Sequence, residues 1–296
     1  MRSTTPGDID LHIHSSHSDG ALPPADLVNR AADLGLSTIA LADHDSVSGV
    51  AEATTTGRQL GVTVIPAVEL SVRYEKWEDV HLLGYGIDHL DPGFLKHLHD
   101  FRQRREHRNE EILERINRRL ARQGRRPVPL EAVLAFAGGA VGRPHIARAL
   151  IERGYAENVE HSFQAYLIPC NVPKHYWPMD QAIAEVHRCG GIAVLAHPTS
   201  ITRDREILSG VIAGLATTGL DGIEVYNNMA SRDESDFLSD CALKQGLVMT
   251  GGSDFHGIED GIVMGQGRDG IRFSDSLLAP LMERIAKLST AGRAGA

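Results

Sequence analysis

The sequence predicts an α/β fold built on a parallel sheet, and three observations lead to this prediction. Short apolar segments alternate with helical patterns along most of the 296 residues, which is the order expected when helices connect parallel strands. Apolar residues make up 42% of the chain, enough to fill one large core. No apolar run reaches the length of a membrane-spanning helix. The predicted sheet is either open or closed into a barrel.

Seven apolar segments predict strands. They are Ile9–Ile13, Thr38–Ala42, Val62–Val68, Val80–Tyr85, Ile192–Ala196, Gly222–Tyr226 and Leu247–Gly251. The helices predicted between and after them are Pro24–Leu34, Val47–Leu60, Met179–Arg188, Arg205–Thr217, Glu234–Lys244 and Leu277–Leu288. Pro24 in a first turn and Gly35 just past a last turn are typical of helix ends.

Residues 92–170 interrupt this alternation. Phe94–Gln123 predicts one or two long helices, and shorter helices are predicted at 130–137, 143–153 and 158–167. We therefore predict an α/β domain formed by 1–91 and 171–296, with 92–170 as a helical insertion. Between Asp100 and Arg126 the insertion has ten arginines against five acidic residues. This stretch fits either a solvated helix face with Glu–Arg pairs or an electrostatic guide for a phosphorylated or polynucleotide substrate.

Net charge and cysteine content limit the classes of protein to which this chain can belong. The formal net charge of −9 argues against a general nucleic-acid coat protein. The three cysteines are far apart in sequence, and the first seven residues lack the apolar stretch of a signal peptide. We therefore expect a reduced, cytoplasmic protein with neither a membrane partner nor a stable protein partner.

Histidine and carboxylate residues follow the predicted strands. They are His12, His14, Asp43, His44, Asp45, Glu69, His197, Asp254 and His256, while His81 lies early in its strand. The carboxyl ends of parallel strands in a barrel converge on one face. On a strand, His12 and His14 point to the same side. Imidazole and carboxylate ligands without thiolates suit manganese, iron or zinc, so the sequence predicts a metal cluster.

These motifs, in this order, resemble those of the polymerase and histidinol phosphatase (PHP) family. The matching segments are Asp10–His14, Ser18-Asp19-Gly20, Thr38–Asp45, Pro66–Glu69, His81, Val194–Pro198, Gly222–Val225 and Gly252–His256. The resemblance implies a distorted (β/α)7 barrel with a helical insertion. It also implies two or three divalent metal ions, with manganese favoured and iron or zinc as alternatives.

The resemblance also assigns the ligands of each ion. His12, His14, Glu69 and Asp254 would hold the first, and Glu69, His81 and His197 the second. Asp19, His44 and His256 would hold the third, unless Asp19 starts the following turn instead. A water shared by two cations loses its proton near neutral pH and can attack phosphorus. His44, Asp254 and His256 are the predicted catalytic residues, and His44, His256 or a metal-bound water would protonate the leaving oxygen.

The insertion suggests a substrate. Gly142–Leu150 contains an Arg-x-His-x-Ala-Arg stretch that resembles the one in PHP nucleoside 3′,5′-bisphosphate phosphatases, whose relatives also act as 5′→3′ exoribonucleases on short RNA. The resemblance implies that the insertion caps the metal site and binds a second phosphate through Arg143 and His145. Lys174 is a further candidate, and a surface salt bridge is the alternative for Arg143.

The predicted function is therefore hydrolysis of a phosphate monoester of a small phosphorylated nucleotide, together with trimming of short RNA from the 5′ end. A histidinol-phosphate phosphatase is the alternative within the family. A non-catalytic metal-binding regulatory module is the alternative outside it.

Overall fold

The computed structural model describes residues 8–136, 142–258 and 261–294. The segment 1–7, for which no signal peptide is predicted, lies outside the described residues, as does residue 137 of the helix predicted at 130–137. The chain folds into two compact units. One contains the residues up to Leu95 and from Tyr176 onward, and we call it the barrel unit; the other, Lys96–His175, is the insertion unit.

The barrel unit is built on one sheet. Its strands are β1 (Ile9–Ile13), β2 (Thr38–Leu41), β3 (Thr63–Tyr74), β4 (Trp77–Tyr85), β5 (Trp177–Pro178), β6 (Ile192–Leu195), β7 (Gly222–Tyr226) and β8 (Val248–Gly251). The helices between and after them are α1 (Pro24–Leu34), α2 (Val50–Leu60), α7 (Met179–Arg188), α8 (Arg205–Thr217), α9 (Arg232–Gln245) and α10 (Leu278–Ala294). The α/β fold class predicted from the alternation of strands and helices is confirmed.

One strand departs from the predicted parallel arrangement. The strands follow the order β1-β2-β3-β4-β6-β7-β8, with the short β5 beside β3. All neighbouring pairs are parallel except those that β4 makes with β3 and β6. Only Glu75 and Lys76 separate β3 from β4, and such a link is far too short for the crossover that parallel strands need. The two strands therefore form a hairpin.

The two ends of this sheet meet. After β8 the chain runs beside the end of β1, where the Asp254 amide donates to the His12 carbonyl at 2.8 Å and the His14 amide donates to the Phe255 carbonyl at 2.9 Å. The seven strands of the path thus form a closed, distorted barrel. Its interior is packed with buried apolar residues of several strands, including Ile9, Leu11, Ala40, Leu83 and Val194.

The insertion unit contains helices only among its described residues. They are α3 (Pro92–Arg122), α4 (Leu130–Leu134), α5 (Arg143–Glu152) and α6 (Val159–Ser162), which continues into a π-helical turn at Phe163–Leu167. Ile112, Ile116 and Leu120 of α3 pack with Ile146 and Leu150 of α5 in a core of their own. The described helices include none that is both long enough and apolar enough to cross a membrane.

Candidate metal centre

Strand β1 places two histidines at the centre of the candidate site. His12 lies in β1 and His14 directly follows it, and both are fully buried, as is Asp10. The Asp10 carboxylate accepts hydrogen bonds from the amides of Ser253 (2.9 Å) and Gly265 (2.7 Å) and from the Ser253 hydroxyl (2.5 Å). Asp10 therefore fixes β1 against the loop that carries Asp254.

The remaining side chains come from other strands and from the loops that follow them, and the hairpin explains the position of His81. The loop after β2 pairs with β3 at His44 and Glu69. His197 follows β6, and Asp254 and His256 follow β8. Because β4 runs opposite to its neighbours, its beginning lies where the parallel strands end. His81 pairs with Ser71 in the register of that hairpin and so reaches the same face.

The first group of ligating atoms has the spacing of a metal site. Nε2 of His14 lies 3.3 Å from Oε2 of Glu69 and 3.1 Å from Oδ1 of Asp254. Nε2 of His12 lies 3.4 Å from Glu69 Oε2 and 3.5 Å from Asp254 Oδ1. Four ligands about 2.1 Å from a tetrahedral ion stand about 3.4 Å from one another. One ligand atom of each residue thus lies within 4.8 Å of the others, and the group fits a divalent cation.

A second group surrounds the other oxygen of Glu69. Its Oε1 lies 3.0 Å from Nδ1 of His81 and 3.1 Å from Nε2 of His197, and these two nitrogens are 3.3 Å apart. His44 also belongs to a group with Glu69 and His81, because its Nδ1 is 2.9 Å from Glu69 Oε2. Glu69 thus stands between the two groups, as a bridging ligand would.

A third group lies at the open edge of the cluster. Asp19 is within 3.2 Å of His256 Nε2 and 3.7 Å of His44 Nε2, and His14 Nδ1 completes the group at 3.8 Å. The Asp19 side chain is 36% exposed, whereas those of His12, His14 and Glu69 are fully buried. The cluster is therefore closed at the inner group and open to solvent at the outer one.

Several buried atoms of the cluster fit a cation better than they fit one another. Nε2 of His12, Oε2 of Glu69 and Oδ1 of Asp254 make no well-aligned hydrogen bond to any described residue. A buried polar atom without a hydrogen bond is costly, since it has lost its water. Imidazole nitrogens and carboxylate oxygens are suitable donors for a divalent transition-metal ion, so the residues present fit the metals that the PHP resemblance implies.

The pKa values of the clustered side chains also favour binding of a cation. Burial tends to raise the pKa of Glu69, but the imidazoles of His44, His81 and His12 outweigh it and hold that pKa well below its usual range. Burial, reinforced by the charges of His256 and His44, lowers the pKa of His14 to about 4. Glu69 is therefore ionised and His14 neutral near pH 7, which are the forms that bind metals.

His12 and His256 are shifted the other way. Burial would lower the pKa of His12, but Glu69, Glu224 and Asp254 outweigh it and raise that pKa well above its usual value. Asp19 similarly overcomes the effect of burial and raises the pKa of His256 to about 9. In both places the carboxylates attract a positive charge, which a metal ion supplies as readily as a proton does.

Two buried carboxylates hold the proposed ligands in place; sequence reasoning missed Glu224 and grouped Asp43 with the metal-binding candidates. Glu224 is fully buried in β7, with Oε1 3.0 Å from Nδ1 of His12 and Oε2 accepting from the His197 amide at 2.8 Å. Asp43 accepts from the Ser15 amide (2.7 Å) and the Ser18 hydroxyl (2.6 Å), and so shapes the loop before Asp19. An acidic residue inside an apolar strand segment was the available signal for Glu224.

The predicted phosphate contacts belong to the insertion unit. The guanidinium of Arg143 lies 5.6 Å from the centre of the Phe163 ring. Nδ1 of His145 accepts from the Gly142 amide at 2.9 Å and so caps the N-terminus of α5. Lys174 is near the end of the unit and has a partner of its own among the described residues. The phosphate-binding role of these three residues stays a prediction.

Comparison with known families shows which protein family contains this cluster. The model of the PHP domain matches residues 10–167, which include His12, His14, Glu69 and His81. The chain belongs to the PHP family. The predicted class, a metal-dependent phosphoric ester hydrolase, is confirmed, which sets aside the regulatory-module alternative.

Individual relatives cover most of the chain. The 5′-3′ exoribonuclease Rnm of Escherichia coli (strain K12) is 35% identical over 253 residues, 83% of this chain and 84% of the relative. The 3′,5′-nucleoside bisphosphate phosphatase of Chromobacterium violaceum is 32% identical over 266 residues, 86% of this chain and 89% of the relative. The structure of a candidate metal-dependent phosphoesterase from Bifidobacterium adolescentis matches with a TM-score of 0.77 and 29% identity, over 95% of this chain and 98% of that one.

Proposed function

We propose that this PHP enzyme removes a phosphate from nucleoside 3′,5′-bisphosphates and trims short RNA from its 5′ end. The observation that carries the proposal is the cluster itself, with a buried inner group whose ligand atoms are close enough to share one ion and an outer group open to solvent. The relatives named for the bisphosphate and for 5′-3′ RNA degradation support this choice of substrate. In both substrates a terminal phosphate stands next to a second phosphate along a ribose backbone.

The nine clustered side chains would have different roles in the buried and the exposed parts of the site. His12, His14, Glu69 and Asp254 would hold one divalent ion, and Glu69, His81 and His197 a second, with manganese the favoured metal. Bound there, such ions activate water and neutralise phosphoryl oxygens. Asp19, His44 and His256 would hold a third ion at the open edge. Because they line that edge, His44 and His256 would be placed to give a proton to the leaving oxygen.

Specificity for a bisphosphate requires a second anion-binding group. Arg143, His145 and Lys174 are our candidates, since an arginine fork binds phosphate bidentately. A helix N-terminus such as that of α5 also favours anions. This part of the proposal accounts for a preference over substrates that carry one phosphate.

A phosphate-release panel on the manganese-loaded enzyme tests the proposal. The substrates are a nucleoside 3′,5′-bisphosphate, a nucleoside 5′-monophosphate, histidinol phosphate and a short 5′-phosphorylated RNA. We expect the highest kcat/KM for the bisphosphate, shortening of the RNA from its 5′ end, and a loss of more than about 100-fold in Glu69→Gln. Arg143→Lys should raise KM for the bisphosphate by about tenfold, because a bidentate contact is lost.

The controls are Glu283→Gln, on exposed α10, and Arg153→Lys, an exposed arginine of the insertion unit. Both should behave like the parent enzyme. Absence of phosphate release from the bisphosphate contradicts the proposal. Equal turnover of histidinol phosphate and the bisphosphate would instead favour the histidinol-phosphate phosphatase alternative.

A further inference from the structure

The charge of the chain is divided unequally between its two units. Residues 96–175 contain fifteen lysines and arginines against nine aspartates and glutamates. The rest of the chain contains fifteen basic residues against thirty acidic ones. The insertion unit is therefore a cationic body in an acidic protein, and its positive charge needs an explanation that the metal centre does not supply.

Part of that charge is concentrated where α3 ends. Arg118 and Arg122 are exposed and four residues apart, so they lie on the same side of the helix. The helix is closed at Gly124, whose φ of 70° lets the Arg125 amide return to the Leu120 carbonyl at 2.9 Å. The exposed Arg126 follows directly. We call Arg118, Arg122 and Arg126 the arginine face.

The side chains of some neighbouring arginines pair with other described residues, and those of the arginine face differ in this respect. Arg115 pairs with Glu111 at 2.7 Å, and Arg125 donates to the Tyr166 hydroxyl at 2.7 Å. Across the described residues, the side chains of the arginine face make neither a hydrogen bond nor an ion pair. Arg118 and Glu114, which lies one turn before it, both line a surface pocket of about 380 Å³, but their side chains form no ion pair with each other.

The spacing of the arginine face favours an external anion. Like charges four residues apart on a helix repel by a few tenths of a kcal/mol. The helix dipole stabilises cations only within the last turn, so it accounts for Arg122 and not for Arg118 or for Arg126, which lies past the helix end. An outside ligand with several negative charges would remove the repulsion.

The chemistry favours a polynucleotide over a membrane surface. A helix that binds lipid needs large apolar residues beside its charges, but no exposed large hydrophobic residue is found between Glu114 and Arg126, a stretch that is fully described. Guanidinium groups instead match successive phosphates of a nucleic-acid backbone. A guanidinium group can also stack on a flat ring such as a nucleic-acid base, as Arg119 does at 6.0 Å from the centre of the Tyr166 ring.

We propose that the arginine face binds the backbone of single-stranded RNA, at nucleotides other than the one whose phosphate is hydrolysed. The proposal rests on the proposed function in one respect, the choice of RNA as the polyanion. It adds a binding surface that the hydrolysis of a mononucleotide does not use. Longer RNA should thus bind more tightly than a nucleoside bisphosphate, and its extra affinity should depend on salt.

The test compares Arg118→Gln/Arg122→Gln/Arg126→Gln with a control of equal charge change, Arg58→Gln/Arg232→Gln/Lys244→Gln. The control residues are exposed, lie in the barrel unit and, within the described chain, make no hydrogen bond or ion pair. Both metal-loaded proteins are titrated by fluorescence anisotropy with a 5′-hydroxyl phosphorothioate oligoribonucleotide of about 12 nucleotides. A gel confirms that the probe stays intact, so binding is measured independently of hydrolysis.

We expect the arginine-face variant to bind this RNA about tenfold more weakly than the control at low salt. Its slope of log K against log salt should be shallower by about 2, because three contacts to single-stranded phosphates are lost. Hydrolysis of the nucleoside bisphosphate should match that of the control. Equal RNA affinity and equal slope in the two variants would overturn the proposal. It would also be overturned if the arginine-face variant bound RNA as the control does and lost binding only to anionic phosphatidylserine vesicles. Because binding is read without turnover, failure of the proposed hydrolysis leaves this result interpretable.

Discussion

At the scale of the residue, Glu224 holds two of the proposed ligands at once. One of its oxygens fixes the ring of His12 and the other fixes the backbone of His197. A carboxylate on the far nitrogen of a ligating histidine sets its tautomer and leaves the other nitrogen free to bind a metal. Glu224 therefore acts as a positioning residue for the first two groups of the cluster.

We predict that Glu224→Gln weakens manganese binding by 10- to 100-fold, the usual cost of losing such a partner. The amide can still accept from the His197 backbone, so the fold should be kept and excess manganese should restore activity. Isothermal titration of the metal-free protein measures the affinity, and Glu283→Gln on the exposed face of α10 is the control. Unchanged affinity would mean that Glu224 serves only the fold.

The sequence was enough to group the proposed ligands, whereas it did not indicate the role of Glu224. His12, His14 and Asp254 stand at predicted strand ends, and residue type with position is enough to group them. Glu224 lies in the middle of β7, where an acidic residue in an apolar segment indicates a special position but not its partner. Its role depends on a contact 212 residues away in the chain, and no local pattern encodes that distance.

At the scale of the element, the strands and helices were largely predictable because their periodicity is strong. The β3–β4 hairpin was not. The predicted strands ended at Val68 and began at Val80, which left a gap wide enough for either direction, while the actual strands extend to Tyr74 and from Trp77. Polar residues such as Arg73, Glu78 and Asp79 hid that extension from a pattern based on apolar residues.

The join between β8 and β1 depends on a glycine. A Cβ added at Gly252 would lie 2.3 Å from Cβ of His12 and 2.5 Å from its backbone nitrogen, so any side chain must push β1 aside. We predict that Gly252→Ala lowers the free energy of unfolding by about 1–3 kcal/mol, as overpacking does, and weakens metal binding as His12 moves.

Urea denaturation and metal titration measure the two effects of Gly252→Ala. The matched control is Gly210→Ala in α8, where an added Cβ meets nothing within 4 Å. Alanine is the better helix former there, so that variant should be stabilised by about 0.5–1 kcal/mol. A Gly252→Ala protein with parent stability and parent metal affinity would show that the join between β8 and β1 is looser than these distances indicate.

At the scale of the whole molecule, the two units carry net charges of opposite sign. The barrel unit carries the acidic surplus and the His/Asp/Glu cluster, and the insertion unit carries the basic surplus. A net charge of −9 argues against a general nucleic-acid coat protein, yet it conceals a basic unit, which we propose binds RNA locally. Net charge therefore describes this chain poorly, and the distribution of charge describes it better.

Metal ions should stabilise the whole barrel, because the cluster joins residues from both ends of the sheet. His12 lies in β1 and His14 directly after it, Asp254 follows β8, and Glu69 lies in β3 between them. An ion that binds only the folded cluster adds about 2.7 kcal/mol at a hundredfold excess over its Kd. For a chain of this size we expect chelation to lower Tm by about 5–10 °C, measured by calorimetry with and without EDTA.

The variant Glu69→Gln makes this prediction specific to the cluster. It removes the carboxylate between the first two groups and leaves a neutral residue of nearly the same shape. Its Tm should respond to EDTA and manganese much less than that of the parent, since only the third group remains complete, while Glu283→Gln should respond as the parent does. If chelation leaves the Tm of the parent unchanged, the buried carboxylates and imidazoles are balanced by protons alone, as the raised pKa values of His12 and His256 would allow. If Glu69→Gln responds as fully as the parent, the stabilising ion binds outside the first two groups.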